Sequence, residues 1–156
     1  MPASGLQTPR LLLLPLTVEL AAWALSAPVR DAAGRLTRAD DWPDDSAASV
    51  LGLAEFGPVE AQWLVAVRSL PEPVVVGGCG VRAVHPRGEW EIGYGLAPSA
   101  RGRGFATEAV GALVEHLFAQ PAVAAVVAEA ENLPSRQLLE RLGFEAGDDL
   151  FRLVRS

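Results

Sequence analysis

The chain contains no lysine, because its thirteen basic residues are all arginine. Schiff-base lysine chemistry and a Walker-A phosphate loop are excluded together, while the planar guanidinium that suits phosphate oxygens is kept. The single cysteine, Cys79, can form no disulfide within the chain and no cysteine-rich zinc site, and it points to a reducing compartment. Two histidines far apart, His85 and His116, leave a metal site little to build on, so no metal is expected. No uncharged apolar run reaches the roughly 18 residues of a transmembrane helix. Arg10 followed by Leu11 to Leu16 has some look of a secretory signal, but Pro15 breaks the run and Glu19 falls inside it. A cytoplasmic chain without membrane attachment is expected.

What is present is a globular composition. Of 156 residues, 50% are hydrophobic and 21% charged, which suits one domain spanning 1–156 with a substantial core. Nineteen acidic residues against thirteen basic ones give a net charge of -6, so the attraction to phosphate that underlies most nucleic-acid binding is missing.

Along the chain, residues 10–14 read as a buried strand, and Thr17 offers an N-cap to a helix with Glu19 in its first turn. Residues 28–45 read as a long polar connection carrying Asp31, Asp40, Asp41, Asp44 and Asp45, and residues 46–56 as a short helix. Segments 60–69 and 73–84 are valine-rich and bounded by turn residues. With 89–96 they predict an antiparallel meander, its last strand presenting Glu91, Gly93 and Gly95 on one face and Ile92, Tyr94 and Leu96 on the other. A helix follows from about 104 to 119, with Phe105, Ala109, Val110, Leu113, Val114 and Leu117 at helical spacing. The apolar strand 123–130 comes next and, being joined through a helix, should lie parallel to the strand before it. A last helix opens at Asn132-Leu133-Pro134-Ser135, and residues 144–154 can supply a closing hairpin. The fold class is α+β with one mixed sheet.

Chemistry concentrates in Leu96 to Glu108. Gly102 and Gly104 sit where a loop becomes a helix N-terminus, so unhindered N–H groups can converge on an anion, with Arg101 and Arg103 beside them. A diphosphate suits such a nest; a glycine-rich surface loop with solvated arginines is the plainer alternative. The dinucleotide fingerprint fits poorly, since its third glycine position holds Thr107 and an antiparallel meander precedes it.

Arg101-Gly-Arg-Gly104-Phe-Ala106 resembles the Q/R-x-x-G-x-G/A acetyl-CoA loop of the GNAT superfamily of N-acetyltransferases, and Asn132-Leu-Pro-Ser135 to Gly143-Phe144 resembles the Asn-x-x-Ser…Gly-Phe segment of the same proteins. Glu91 to Pro98 and the start at residues 10–17 are similar to the RimJ/RimL branch, which acetylates ribosomal-protein N-termini. The resemblance implies a GNAT fold: a mixed, mostly antiparallel sheet with a central parallel pair of splayed strands, flanked by helices. It also implies acetyl-CoA as cosubstrate. Its arm would meet the backbone of Leu96, Ala97 and Pro98. The N–H groups of Gly102, Arg103, Gly104, Phe105, Ala106 and Thr107, with Arg101, would hold its diphosphate, and Asn132 would hold the arm from the other strand. Ser135 matches the position assigned to protonating the leaving sulfur, although capping the last helix explains it equally well. Glu91 is the first candidate for the base, against an ordinary solvent-facing strand glutamate.

The implied reaction is acetyl transfer to a primary amine by direct attack in a ternary complex. The partner is an amine acceptor, either a small molecule or a protein N-terminus, and a homodimer stays open. A non-catalytic acetyl-CoA-binding or sensing module is the alternative, with a dehydrogenase third. Cys79 reads as a small buried strand residue, His85 and His116 as surface or satisfied histidines, and Trp23, Trp63 and Trp90 as packing residues. Trp42 with the neighbouring aspartates either lines the acceptor side or is simply solvated.

Overall fold

In the computed structural model, residues 5–24, 36–43, 61–69, 72–84, 88–130, 132–148 and 150–155 are described. The chain order is β1 (Leu6–Gln7), β2 (Leu11–Pro15), α1 (Val18–Ala24), β3 (Thr37–Arg38), β4 (Ala61–Val67), β5 (Val74–Val84), β6 (Glu89–Leu96), a 3-10 turn (Pro98–Ala100), α2 (Phe105–Phe118), β7 (Ala125–Ala128), α3 (Leu133–Arg141), β8 (Glu145–Ala146) and β9 (Phe151–Val154). Eight strands follow one another across the sheet as β1-β2-β4-β5-β6-β7-β9-β8, with β3 added beside β5. The meander β4-β5-β6 is antiparallel and β6-β7 parallel, as the spacing of the segments predicts.

The near-continuous apolar strands are explained by a sheet covered on both faces, since a period of two then sends alternate residues into two different cores. Leu11, Leu13, Trp63, Val65, Val81, Ile92 and Val126 pack on one face with Val110, Leu113 and Leu117 of α2 and Leu138 and Leu139 of α3. Leu64, Ala66 and Val75 point the other way, toward Trp23 and Ala24 of α1 and toward Trp42. Complete burial of one such leucine stabilises the fold by roughly 1.5–3 kcal/mol. Thr17 caps α1, its Oγ1 accepting from the Leu20 N–H at 3.0 Å.

Two expectations are corrected. Part of the polar connection 28–45 is a strand, because Thr37 and Arg38 pair in parallel with Val74 and Val75. Two residues are too few to show a periodicity. Trp42 is neither solvated nor a free surface group: it is 2% exposed and packs against the second core. The helix expected at 46–56, the turn residue His85, and Asp31, Asp44 and Asp45 lie outside the described residues. Among the described residues no helix is long and apolar enough to cross a membrane.

Candidate active site

The site grows from a mismatch in strand length. Strand β6 pairs with β5 along its whole length, to Leu96 opposite Gly77, but with β7 only from Glu89–Ala125 to Ile92–Ala128. Beyond Ile92 the two parallel strands part, and β6 residues 93–96 face a gap where β7 would have paired. A register shift in β5 fixes the end of the longer arm. Val65 opposes Gly77 and Ala66 opposes Val75, so Val76 is left over, and its carbonyl accepts from the Ala97 N–H at 2.7 Å.

From Ala97 the chain turns through Pro98–Ala100 into the glycine loop. Asp41 holds that turn, accepting from the Ser99 N–H and from Ser99 Oγ, both at 2.7 Å. These two hydrogen bonds draw the Asp41 carboxyl below its usual range. Its carboxylate is therefore a clasp for the turn and has little left for a cationic acceptor. Gly102 and Gly104 have φ of 75° and 80°, in the left-handed region, and Gly104 is the N-cap of α2. No side chain caps this helix, so its first N–H groups are left to an external acceptor. A Cβ added to Gly102 would meet nothing within 4 Å. The nest is open, donor-rich and exposed from Arg101 to Gly104, which fits a diphosphate.

The arginines are disposed less symmetrically than their sequence spacing suggests. Arg101 folds back so that its Nε donates to the Leu96 carbonyl at 3.1 Å, occupying one of the backbone groups expected to meet the cosubstrate arm. Arg103 is exposed. A third arginine was missed by sequence reasoning: Arg10, just before β2, donates from Nη1 to the Arg103 carbonyl at 2.8 Å and stacks 4.5 Å from the centre of the Phe105 ring. Its Nε donates to Glu108 Oε1 at 2.8 Å, while Glu108 Oε2 accepts from the Arg10 N–H and from Thr8 Oγ1. From α3, Arg141 reaches Thr107 Oγ1 at 3.3 Å.

Residues 10–145 match the acetyltransferase (GNAT) domain family. This chain belongs to that family. It is 39% identical over 74 residues to an uncharacterized N-acetyltransferase, p20, of Bacillus licheniformis, a match that covers 46% of this chain and 42% of the length of that relative. Its fold is similar to that of a GNAT acetyltransferase from Bacillus anthracis, at a TM-score of 0.67 over 97% of this chain and 98% of the other, with 15% identity. It is also similar to the aminoglycoside acetyltransferase AAC(6')-Ib, solved in complex with coenzyme A, at a TM-score of 0.53 and 23% identity over 61% of this chain and 66% of the other.

The remaining candidates in this GNAT chain fall on both sides of the gap. Glu91, on β6, is joined to Arg82 directly across the β5-β6 ladder: Oε1 accepts from Nε at 2.7 Å and lies 2.6 Å from Nη2. The register that sets Val84 opposite Glu89 also sets Arg82 opposite Glu91. On the other arm, Asn132 caps α3, its Oδ1 accepting from the Ser135 N–H at 2.9 Å. Asn132 thus does the capping that was the plain alternative for Ser135.

Tyr94 stands on the part of β6 that has separated from β7, and the Ser135 hydroxyl is its neighbour from α3. Burial pushes the phenol above its usual value and Ser135 pulls it part of the way back, yet the buried phenol oxygen has no well-formed hydrogen bond. Leaving such a group unpaired costs about 1–3 kcal/mol. Cys79 is buried on β5 with its thiol pushed up to about 12 by desolvation, so it is inert packing. His116 is neither a surface nor a satisfied histidine: its Nε2 is buried and unpartnered, and its ring stands edge-on to Trp63 with centroids 5.6 Å apart.

Proposed function

We propose that this GNAT chain, as one domain, is an acetyl-CoA-dependent N-acetyltransferase that transfers acetyl to a primary amine by direct attack in a ternary complex. One observation carries the reading. The parallel pair β6-β7 opens after Ile92 and Ala128, and its longer arm runs straight into an uncapped helix N-terminus preceded by two left-handed glycines. The name of the p20 relative and the coenzyme A bound to AAC(6')-Ib support it.

Acetyl-CoA, when bound, supplies an activated acetyl thioester. The N–H groups of residues 102–107 hold its diphosphate with Arg103, and the backbone from Leu96 to Pro98 and the amide nitrogen of Asn132 line its arm. Backbone N–H groups of residues 93–96 that β7 no longer pairs would stabilise negative charge developing on the thioester oxygen, a role supported by the end of the β6-β7 pairing at Ile92. Glu91 takes a proton from the amine, through Oε2 because Oε1 is engaged by Arg82. Ser135 Oγ, relieved of capping, gives a proton to the departing sulfur. The acceptor is a small-molecule amine or a protein N-terminal amine.

The engagement of Glu91 by Arg82 favours a second reading, a module that binds acetyl-CoA without turnover. Calorimetric titration with acetyl-CoA, followed by a thiol-release screen across amine classes, separates the two. Binding with thiol release supports the enzyme, binding without release from any amine supports the module, and no binding overturns both.

A further inference from the structure

We propose that Tyr94 is a positioning residue for Ser135: its phenol donates a hydrogen bond to Ser135 Oγ and resupplies the proton that Ser135 gives to the departing sulfur. The proposal rests on the acetyl-transfer reading above. Two observations on opposite arms of the opening carry it. Tyr94 lies beyond Ile92, on the stretch of β6 that β7 no longer pairs, and its phenol oxygen is buried without a formed partner. Ser135, its neighbour, has the N-terminal end of α3 capped for it by Asn132, so no helix-capping duty competes for its hydroxyl. The phenol stands beside the Ser135 hydroxyl with no hydrogen bond formed between them.

Chemistry gives the pair a purpose. A serine hydroxyl alone is a much weaker acid than a thiol, whereas a phenol, ordinarily near 10 and here raised by burial, lies closer to a thiol near 8.5 than the serine does. A phenol donating to Ser135 Oγ makes the serine proton easier to give up, and a low local dielectric strengthens the chain of hydrogen bonds. Burial keeps the phenol protonated at neutral pH, as a donor must be. In the step itself the amine nitrogen bonds to the acetyl carbon and the carbon–sulfur bond breaks. Sulfur takes the Ser135 proton, Ser135 takes that of Tyr94, and the phenolate regains one from solvent, to which Glu91 releases the proton lost by nitrogen. No net proton is consumed.

The protein has one tyrosine, so its phenol can be followed alone through the NMR signal of the ring Cζ carbon, with no ligand present. Replacing Ser135 by Ala should raise the titration midpoint of that signal, because a stabilising neighbour is lost. Tyr94→Phe, which keeps the ring packing, should lower kcat about tenfold or more. KM for acetyl-CoA should stay within about twofold. The double variant should be no slower than Ser135→Ala alone, as expected of two groups acting as a unit. An unmoved midpoint, additive losses, or a normal kcat in Tyr94→Phe beside a low one in Ser135→Ala would overturn the pairing and leave acetyl transfer standing. Absence of thiol release from the wild-type protein would overturn the acetyl-transfer reading, and this role with it, whatever the midpoint shows.

Discussion

Arg10 and Glu108 are 98 positions apart and form one joint, in which the arginine Nε donates to the carboxylate at 2.8 Å and the Arg10 backbone N–H donates to the other carboxylate oxygen at 2.9 Å. The joint ties the residue just before β2 to the first turn of α2. Through Nη1 on the Arg103 carbonyl it also fixes the glycine loop from outside. Because the Arg10 side chain is 46% exposed, the ion pair itself adds only about 0–1 kcal/mol. Arg10→Ala should therefore lower Tm by at most about 2–4 °C for a chain of this size. Acetyl-CoA affinity should fall several-fold more than that loss of stability explains, because the N–H groups of the loop are no longer held in place. Differential scanning and titration calorimetry on the same preparations check both, and a lowered Tm with unchanged affinity would make the joint merely structural.

Glu108 and His116 make stability depend on pH in separate windows. Burial raises the Glu108 carboxyl, but its hydrogen bonds from Thr8 and Arg10 outweigh that and leave it below the ordinary 4.5. Its contribution is present above about 4.5 and is lost as pH falls through the lower folded value. His116 is also lowered, from 6.5, by desolvation. The unfolded chain takes up that proton first, so stability declines as pH falls below about 6.5, with a slope of at most about 1.4 kcal/mol per pH unit for one proton. Urea denaturation across pH should show His116→Phe removing the upper slope and Glu108→Gln reducing the lower one, the remainder belonging to Asp41, which Ser99 also holds below its usual range. A His116→Phe protein with the wild-type slope near pH 6 would place that titration elsewhere.

Gly104 tests the diphosphate nest. Its φ of 80° is costly for any residue with a Cβ, about 1–2 kcal/mol, and a Cβ there would lie 3.2 Å from Arg10 Nη2. Gly104→Val should abolish acetyl-CoA binding while the far-ultraviolet circular dichroism spectrum stays that of the wild type. Wild-type affinity in this variant would remove the loop from the cosubstrate site.

Much of this was legible in the residues alone, for physical reasons that also mark the limit. Helical spacing from Phe105 to Leu117 and the turn residues around the valine-rich strands are local signals, and they place α2 and the meander within a residue or two. The glycines of the loop announce themselves because few other residues adopt their backbone angles. The Arg10–Glu108 joint and the Asp41 clasp on Ser99 join distant segments through single side chains, and no periodicity records such a contact. Asn132 and Ser135 lie between. Either can cap a helix from the sequence, and the folded chain has Asn132 doing so.

Glu91 decides whether the opening is a reaction site or only a binding site. Its Oε1 is held by Arg82, and a strut and a base would look alike in this geometry. Glu91→Gln separates them, because glutamine keeps an oxygen for Arg82 and the shape of the side chain while losing the ability to take a proton near neutral pH. With the pair partly exposed, at 35% for the Arg82 side chain and 16% for that of Glu91, stability should change little. If Glu91 is the base, kcat should fall about 100-fold or more while acetyl-CoA affinity by calorimetry stays that of the wild type. An unchanged kcat would make the Arg82–Glu91 pair a cross-strand strut and move the search for the base to the face shared by Gly93 and Gly95.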